Sequence, residues 1–206
     1  MDIQQLQQNK NMALTARTLG ALFCHSPSDK LMSPLVAFLQ TEVWCDDWPY
    51  GSQEQRQYCA ELMMRATEEP LHIAWQRLFI GPNELPAPPW GSVYLDRESV
   101  LFGESTLALR RWMLKYQICG QTEGREPEDH FGLLLLLIAW LAELQPQQMT
   151  ELLAEHILPW SSRYLTLMIQ KAEHPFYQGI AELALLTLNA WRVQLDLTPA
   201  EPELYF

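Results

Sequence analysis

Asp129 and His130 are adjacent residues whose types could perform acid–base chemistry. Histidine titrates near neutral pH, and a neighbouring carboxylate could orient one of its ring nitrogens. The pair precedes the apolar run Leu133–Leu141 and is therefore expected at a helix start, where sequence neighbours do not face each other well. No GxSxG nucleophile elbow is present, and Cys119 has no base nearby in sequence. Three roles stay open for the pair, namely hydrolysis, a structural role and ligand binding, with hydrolysis the least favoured.

Metal and cofactor chemistry has weaker support. The five histidines and four cysteines are scattered along the chain, without an HExxH motif or a CxxC pair. The phosphate-binding P-loop motif is also missing from the sequence. The sequence therefore predicts no metal site, and we expect no cofactor.

A second cluster combines aromatic and proline residues between Trp75 and Ser99, in the stretch WQRLFIGPNELPAPPWGSVYLDRES. Proline fixes φ and removes a backbone donor, so the part from Pro82 to Pro89 is predicted to be a stiff loop. A stiff loop that carries aromatic side chains presents them at little entropic cost, which is typical of peptide-binding surfaces. The alternative is that the aromatic side chains pack the loop onto its own domain.

Two motifs, W-x-x-L-F-x-G-P…P-x-P-P-W-G-S-V-Y-L-D-R-E-S and E-P-x-D-H-F-G, resemble those of the TorD/DmsD family. Members are cytoplasmic chaperones for molybdenum-containing redox enzymes that are exported by the twin-arginine route. The resemblance extends from about Met12 to about Leu195 and favours the branch that serves dimethyl-sulfoxide reductase. It implies a cytoplasmic chaperone, without catalytic residues, that binds the twin-arginine signal peptide of the catalytic subunit and delays export until that subunit has folded. A sibling chaperone for another reductase is an alternative.

The resemblance also directs the choice of site residues. A twin-arginine peptide has a basic end and an apolar stretch, so its receptor needs carboxylates and an apolar groove. The groove is expected to be lined by Trp75, Leu78, Phe79, Pro86, Pro89, Trp90 and Tyr94. The expected carboxylates are Asp96, Glu98, Glu126 and Asp129. The family motifs add Gly91, Ser92, Arg97 and His130, although Arg97 and Glu98 could instead form structural ion pairs. The resemblance also suggests that some relatives bind guanine nucleotides. Neither the residue spacing nor the glycine content of this sequence supports such a site.

Charge limits the classes of partner. The formal net charge of −11 would repel nucleic-acid phosphates and anionic membranes and would attract a basic peptide, although it would also serve solubility alone. The longest apolar run, Phe131–Ala142, is too short to cross a bilayer, which needs about 20 residues. We therefore expect a chain that neither binds nucleic acid nor inserts into a membrane. We also expect it to be a monomer. The export machinery is a further candidate partner.

Helical spacing of apolar residues dominates the chain and predicts an all-α, single-domain helical bundle over residues 1–206. Met12, Ala16, Leu19 and Phe23 form the stripe of the first helix. Further helices are predicted from Pro34 to Leu39, over 53–68, from Pro70 through Phe79, from Glu98 or Ser99 to Tyr116, from Pro127, over 148–157, from Pro159 and from Pro175 to Leu195. A polar connection is expected near 120–125, and a loosely held tail over 198–206.

Overall fold

The computed structural model describes residues 3–119 and 126–206. Within these ranges the regular structure is helical, and the only β-type pairing is an isolated bridge between Trp90 and His130. The predicted all-α fold is thus confirmed, whereas the predicted polar connection falls outside the described residues. The helices are α1 (Ile3–Cys24), α2 (Ser33–Leu39), α3 (Gln53–Met64), α4 (Leu71–Trp75), α5 (Gly91–Leu95), α6 (Glu104–Lys115), α7 (Phe131–Leu144), α8 (Met149–Leu152), α9 (Leu158–Lys171) and α10 (Pro175–Gln194).

Two of these helices continue into π-helical turns. Helix α4 runs on through Gln76–Ile80, and α8 runs on through Leu153–Ile157 into α9. Single π-turns within α-helices are rare and occur frequently at functional sites. Both turns lie in segments that the sequence pattern predicts as ordinary helix.

Helices α1 and α7 pack closely along each other and form the centre of the bundle. Gly20 and Gly132 permit the close approach, since a Cβ atom built on Gly132 would lie 2.5 Å from Cys24 Sγ and 3.0 Å from the Gly20 carbonyl oxygen. Helix α10 packs against α3 and α9 on the other part of the bundle. The predicted stripe of α1 faces inward, because Met12, Leu19 and their partners at helical spacing are buried.

An aromatic cluster fills the core where α1, α7 and α9 meet α5. The Phe23 and Phe131 rings lie edge to face with their centroids 4.9 Å apart, and Tyr164 lies 5.1 Å from Phe131. Tyr94 of α5 stacks on Trp160 of α9 at 5.4 Å. Aromatic pairs in these geometries contribute about 0.5–1.5 kcal/mol beyond the burial of their area. The cluster therefore anchors the short helix α5 firmly to the bundle.

Helix α6 begins later than the sequence predicts. Ser99 and Phe102 have φ angles of 48° and 61°, in the left-handed region that cannot continue an α-helix. The cap comes from Asp96, whose carboxylate accepts hydrogen bonds from the Ser105 amide at 3.1 and 3.2 Å and from the Ser105 hydroxyl at 2.7 Å. The predicted start at Glu98 or Ser99 is therefore wrong.

Helix α7 also begins later than predicted, at Phe131 instead of Pro127. His130 is the N-cap residue, and its Nδ1 accepts a hydrogen bond from the Gly132 amide at 3.1 Å. Glu128 and Asp129 consequently precede the helix and do not lie in its first turn. At α3 the difference is at the other end, because Arg65 is extended and the helix ends at Met64.

The tail is irregular, but its end is held in place, contrary to expectation. The Tyr205 amide donates to the Tyr94 carbonyl oxygen at 2.9 Å. Arg163 Nε donates to the Phe206 carbonyl oxygen at 3.0 Å, and the Phe206 ring lies edge to face with Tyr94 at 5.5 Å. The last residues therefore cover the outer side of α5.

Phe206→Ala is expected to lower the thermal unfolding midpoint by about 2–4 °C, because losing a partly buried phenyl contact costs about 1 kcal/mol in a chain of this size. Circular dichroism melts measure the change. Tyr205→Ala is the matched control, since its side chain points outward and the backbone bond to Tyr94 remains. Equal midpoints for the two variants would show that the Phe206 contact does not stabilise the fold.

Candidate functional site

The two family-like motifs meet in space although about 35 residues separate them. The Gly91 amide donates to the Asp129 carbonyl oxygen at 3.1 Å, and the Phe131 amide donates to the Pro89 carbonyl oxygen at 2.7 Å. These bonds flank the antiparallel bridge between Trp90 and His130. The chain segments that carry the motifs are thus fixed side by side at the start of α5 and α7.

Asp129 is the buried acid of this junction, with 4% of its surface exposed. Its Oδ2 accepts a hydrogen bond from the Ser92 amide at 2.7 Å, in the first turn of α5. A side-chain acceptor for such an amide stabilises a helix start, which explains why five residues after a proline-rich loop form a helical turn. Among the described residues, none donates to Asp129 Oδ1. One oxygen of the carboxylate is therefore held in place, while the other is buried without a donor from the described residues.

His130 and Cys24 lie close together but are not activated for catalysis. Their Nδ1 and Sγ atoms are 3.9 Å apart. Burial lowers the pKa of His130 to about 4, so that its ring is neutral at pH 7. Burial, together with the charge of Glu126, raises the pKa of the Cys24 thiol to about 12. A protonated thiol beside a neutral imidazole lacks the thiolate that nucleophilic catalysis needs.

The side chains of Asp129 and His130 also serve different helices. Asp129 binds the start of α5, whereas His130 caps its own helix α7. The structure therefore gives no support to a general-base dyad made of the two, which the hydrolase alternative requires.

Trp90 and Glu126 form the outer rim of the junction. Trp90 is partly exposed, its indole Nε1 donates to the Glu126 carboxylate, and its ring lies 6.0 Å from that of His130. Partial burial of the Glu126 carboxyl raises its pKa, the bond from Trp90 opposes this shift, and the charge of Asp129 adds to it. Aromatic, imidazole and carboxylate groups are thus grouped at one place on the surface.

Three of the expected groove residues lie in the core instead. Leu78 and Tyr94 have no exposed surface, and Phe79 has 7%. The π-turn after α4 places Leu78 and Phe79 inward, where Phe79 contacts Phe23 at 6.2 Å and Tyr177 at 5.7 Å. These side chains cannot line an open groove. They support the surface from beneath.

Trp75 and the proline residues are in different positions. Trp75 is partly buried and stacks on Phe79 at 6.1 Å. Pro86 is partly exposed, whereas Pro89 is buried beside the junction. Trp75 and Pro86 therefore keep part of their surface exposed, whereas Pro89 does not.

The remaining expected residues fall into structural and exposed groups. Gly91 and Ser92 are buried, and a Cβ on Gly91 would lie 2.9 Å from Trp160 Nε1. Asp96 is engaged in capping α6, so its carboxylate is not free for a ligand arginine. Arg97 and Glu98 are exposed.

A cavity of about 240 Å³ lies next to Asp129, and sequence reasoning missed part of its wall. Gly91 and Leu95 of α5 and Ser105 of α6 contribute to it, and the π-turn after α8 supplies Glu155 and His156. The sequence offers no signal for the last two, because a Glu-His pair on an amphipathic segment looks like ordinary helix surface.

The described residues contain no helix that combines the length and the apolar character needed to span a membrane. They also hold no group of three or more His, Cys, Asp or Glu residues placed to bind a metal ion.

Comparisons with known proteins point in one direction. The family model described as the nitrate reductase delta subunit matches residues 46–166. The chain is 51% identical over 199 residues to the Tat proofreading chaperone DmsD of Salmonella typhimurium, covering 96% of this chain and 97% of the relative. It is 32% identical over 163 residues to the chaperone protein TorD of Ferrimonas balearica, covering 74% and 70%. A crystal structure described as a redox enzyme maturation protein from Archaeoglobus fulgidus shares the fold, with a TM-score of 0.55, 18% identity and coverage of 88% and 93%.

Proposed function

We propose that the chain is a chaperone for a twin-arginine signal peptide, because it belongs to the TorD/DmsD family. The family model that matches it carries the description nitrate reductase delta subunit. The client is the catalytic subunit of a molybdenum-containing dimethyl-sulfoxide reductase. The chaperone holds the peptide and delays export until the subunit has folded. The relative with 51% identity is named a Tat proofreading chaperone, which supports this assignment.

The observation that carries the proposal is the half-satisfied carboxylate of Asp129 at the junction of the two motifs. An arginine side chain offers several donors in one plane, and its bonds to carboxylates are short and strong. The site also has an apolar component in the partly exposed Trp90 and Pro86. A ligand with a basic end and an apolar stretch can bind the carboxylate with the first and the apolar surface with the second.

Three further features belong to the same proposal. We expect the chain to perform no chemistry on its client, since burial keeps the thiol nearest the junction protonated and makes the neighbouring imidazole a weak base. It works in the cytoplasm, where a protein bound for export is made. It acts as a monomer, and it can hand the client to the export machinery when the peptide is released.

The proposal is tested by titration calorimetry with a synthetic peptide of the dimethyl-sulfoxide reductase signal sequence. We expect a one-to-one isotherm without added cofactor, and no heat from a scrambled peptide of the same composition. The signal peptide of a trimethylamine N-oxide reductase serves to test the sibling alternative. The absence of binding to all of these peptides would contradict the proposed function.

A variant of Trp90 sharpens the same titration. Trp90→Ala should raise Kd about 30-fold while the helical content stays unchanged, since the loss of an aromatic anchor costs about 2 kcal/mol at a binding hot spot. Trp140→Ala is the matched control, because this tryptophan is also partly exposed on the surface. It lies on α7 about 15 Å along the helix from His130, which pairs with Trp90. An equal effect of both variants would mean that Trp90 acts only through stability.

A further inference from the structure

The π-turn after α8 brings Glu155 and His156 to the wall of the cavity that also contains Asp129. The extra residue in a π-turn changes which side chains point towards the adjacent helices. Such turns are frequent at functional sites. Leu153 and Ile157 on the same turn are buried, which anchors the segment. Glu155 is exposed and His156 is half-buried, so the two polar side chains lie at the accessible part of the turn.

Two residues of the cavity wall carry buried hydrogen-bonding atoms that have no partner among the described residues. One is Asp129 Oδ1, on a side chain that is 96% buried, and another is His156 Nε2. Burial lowers the pKa of His156 and the charge of Glu151 opposes this shift, so the ring is neutral at pH 7 and can accept a hydrogen bond. Buried polar atoms of native proteins nearly always have a partner, and a partner missing from the chain points to a ligand or water.

The neighbouring cations of the chain are engaged elsewhere. Arg110 of α6 donates to the Glu128 carboxylate at 2.9 Å. Lys115 of the same helix pairs with Glu151 at 3.0 Å. The bond to Glu128 and, to a lesser degree, the charge of Asp129 raise the pKa of Arg110, but no cation of the described residues donates a hydrogen bond to Asp129.

We propose that Glu155 and His156 are specificity-determining residues that, together with Asp129, form a slot for the guanidinium group of an arginine in the bound peptide. The inference rests on the proposed function and adds the residues that distinguish arginine from lysine. Asp129 Oδ1 is the charged acceptor, His156 Nε2 is the neutral acceptor, and Glu155 provides a second negative charge at the accessible wall.

Size and shape favour this ligand. Sites for drug-sized molecules usually measure about 300–1,000 Å³, so a cavity of about 240 Å³ suits a single side chain better than a nucleotide. Leu95, which is partly exposed, lines it and can contact the methylene stem of the arginine. An ammonium group is a strongly hydrated point charge, whereas a guanidinium group carries five donors in a rigid plane and can reach acceptors on separate walls.

The experiment compares the wild-type chain with Glu155→Gln and His156→Phe in titrations with three peptides. One peptide carries the arginine pair, one carries lysine at both positions, and one carries a single replacement. His156→Phe keeps the ring contact with Trp112, which lies 5.8 Å away. Glu61→Gln is the matched control, because it removes one exposed carboxylate on α3, which does not line the cavity. Circular dichroism melts check that all variants fold.

We expect the wild type to bind the arginine peptide about tenfold more tightly than the lysine peptide, the effect of one charge-assisted hydrogen bond. Glu155→Gln and His156→Phe should each reduce this ratio by a factor of about three, mainly by weakening the arginine complex. Glu61→Gln should leave the ratio unchanged.

The outcomes separate the two proposals. If the wild type binds none of the peptides, the proposed function fails. If it binds the arginine and lysine peptides equally, the function stands and the guanidinium slot is wrong. If it prefers arginine but both variants keep the wild-type ratio, Glu155 and His156 do not form the slot.

Discussion

Asp129→Asn is expected to weaken binding of the twin-arginine peptide by about 10- to 100-fold, because a hydrogen bond to a charged group contributes about 1.5–3 kcal/mol. The asparagine carbonyl oxygen can still accept from the Ser92 amide, which preserves the start of α5. The amide nitrogen then takes the position of Oδ1, so a donor replaces the acceptor that the proposed guanidinium ligand needs. Calorimetric titration at low salt measures the loss. The difference from wild type should shrink as salt rises, since screening already weakens the lost attraction.

Asp96→Asn is the control for this experiment. Asp96 is a neighbouring carboxylate that caps α6 through Ser105, so its loss should lower the unfolding midpoint and leave peptide affinity unchanged. Should Asp129→Asn bind like the wild type at low salt, the acid would only stabilise α5. Asp129 would then be removed from the site, and Trp90 with its neighbours would carry the peptide-binding hypothesis alone.

Local signals in the sequence were sufficient to predict most of the helices. The stripe that begins at Met12 predicts α1, and Pro34 and Pro175 lie in the first turns of α2 and α10 as expected. At α3, Ser52 and Gln55 form a capping box, which explains why this helix starts at Gln53. Such signals depend only on residues within one or two turns.

The features that differ from prediction depend on distant partners. Helix α5 forms because Asp129 binds Ser92 from 37 residues away. The tail is held because Phe206 contacts Tyr94, which no local pattern indicates. Helix α6 is capped by Asp96 across a loop with left-handed residues. Propensity and periodicity contain no information on these contacts, so the sequence alone could not predict them.

The candidate site divides in the same way. The motif resemblance identified the segments around Trp90 and Asp129, and the structure places them side by side. It could not show that Leu78 and Tyr94 are core residues, because apolar and aromatic residues at helical spacing look alike in a groove and in a core. The position of Glu155 in the cavity wall depends on a π-turn, for which the sequence offers no signal.

Gly132→Ala is expected to destabilise the fold by about 2 kcal/mol, which corresponds to a fall of about 4–8 °C in the unfolding midpoint. The added methyl group would lie 2.5 Å from Cys24 Sγ and 3.0 Å from the Gly20 carbonyl oxygen, where α1 and α7 pack most closely. The gain of about 0.5–1 kcal/mol in helix propensity from glycine to alanine does not offset this overlap. Differential scanning calorimetry measures the change.

Combining Gly132→Ala with Cys24→Ala tests the cause of that destabilisation. Cys24→Ala removes the sulfur atom, so the double variant should recover part of the stability that Gly132→Ala loses. Cys24→Ala alone should cost little, because the thiol makes one long contact with His130 at 3.9 Å. Strictly additive effects would show that the methyl group does not meet the sulfur. A Gly132→Ala protein as stable as wild type would mean that α1 and α7 can move apart at no cost. In that case the packing of these helices would not hold Asp129 and His130 rigidly in place.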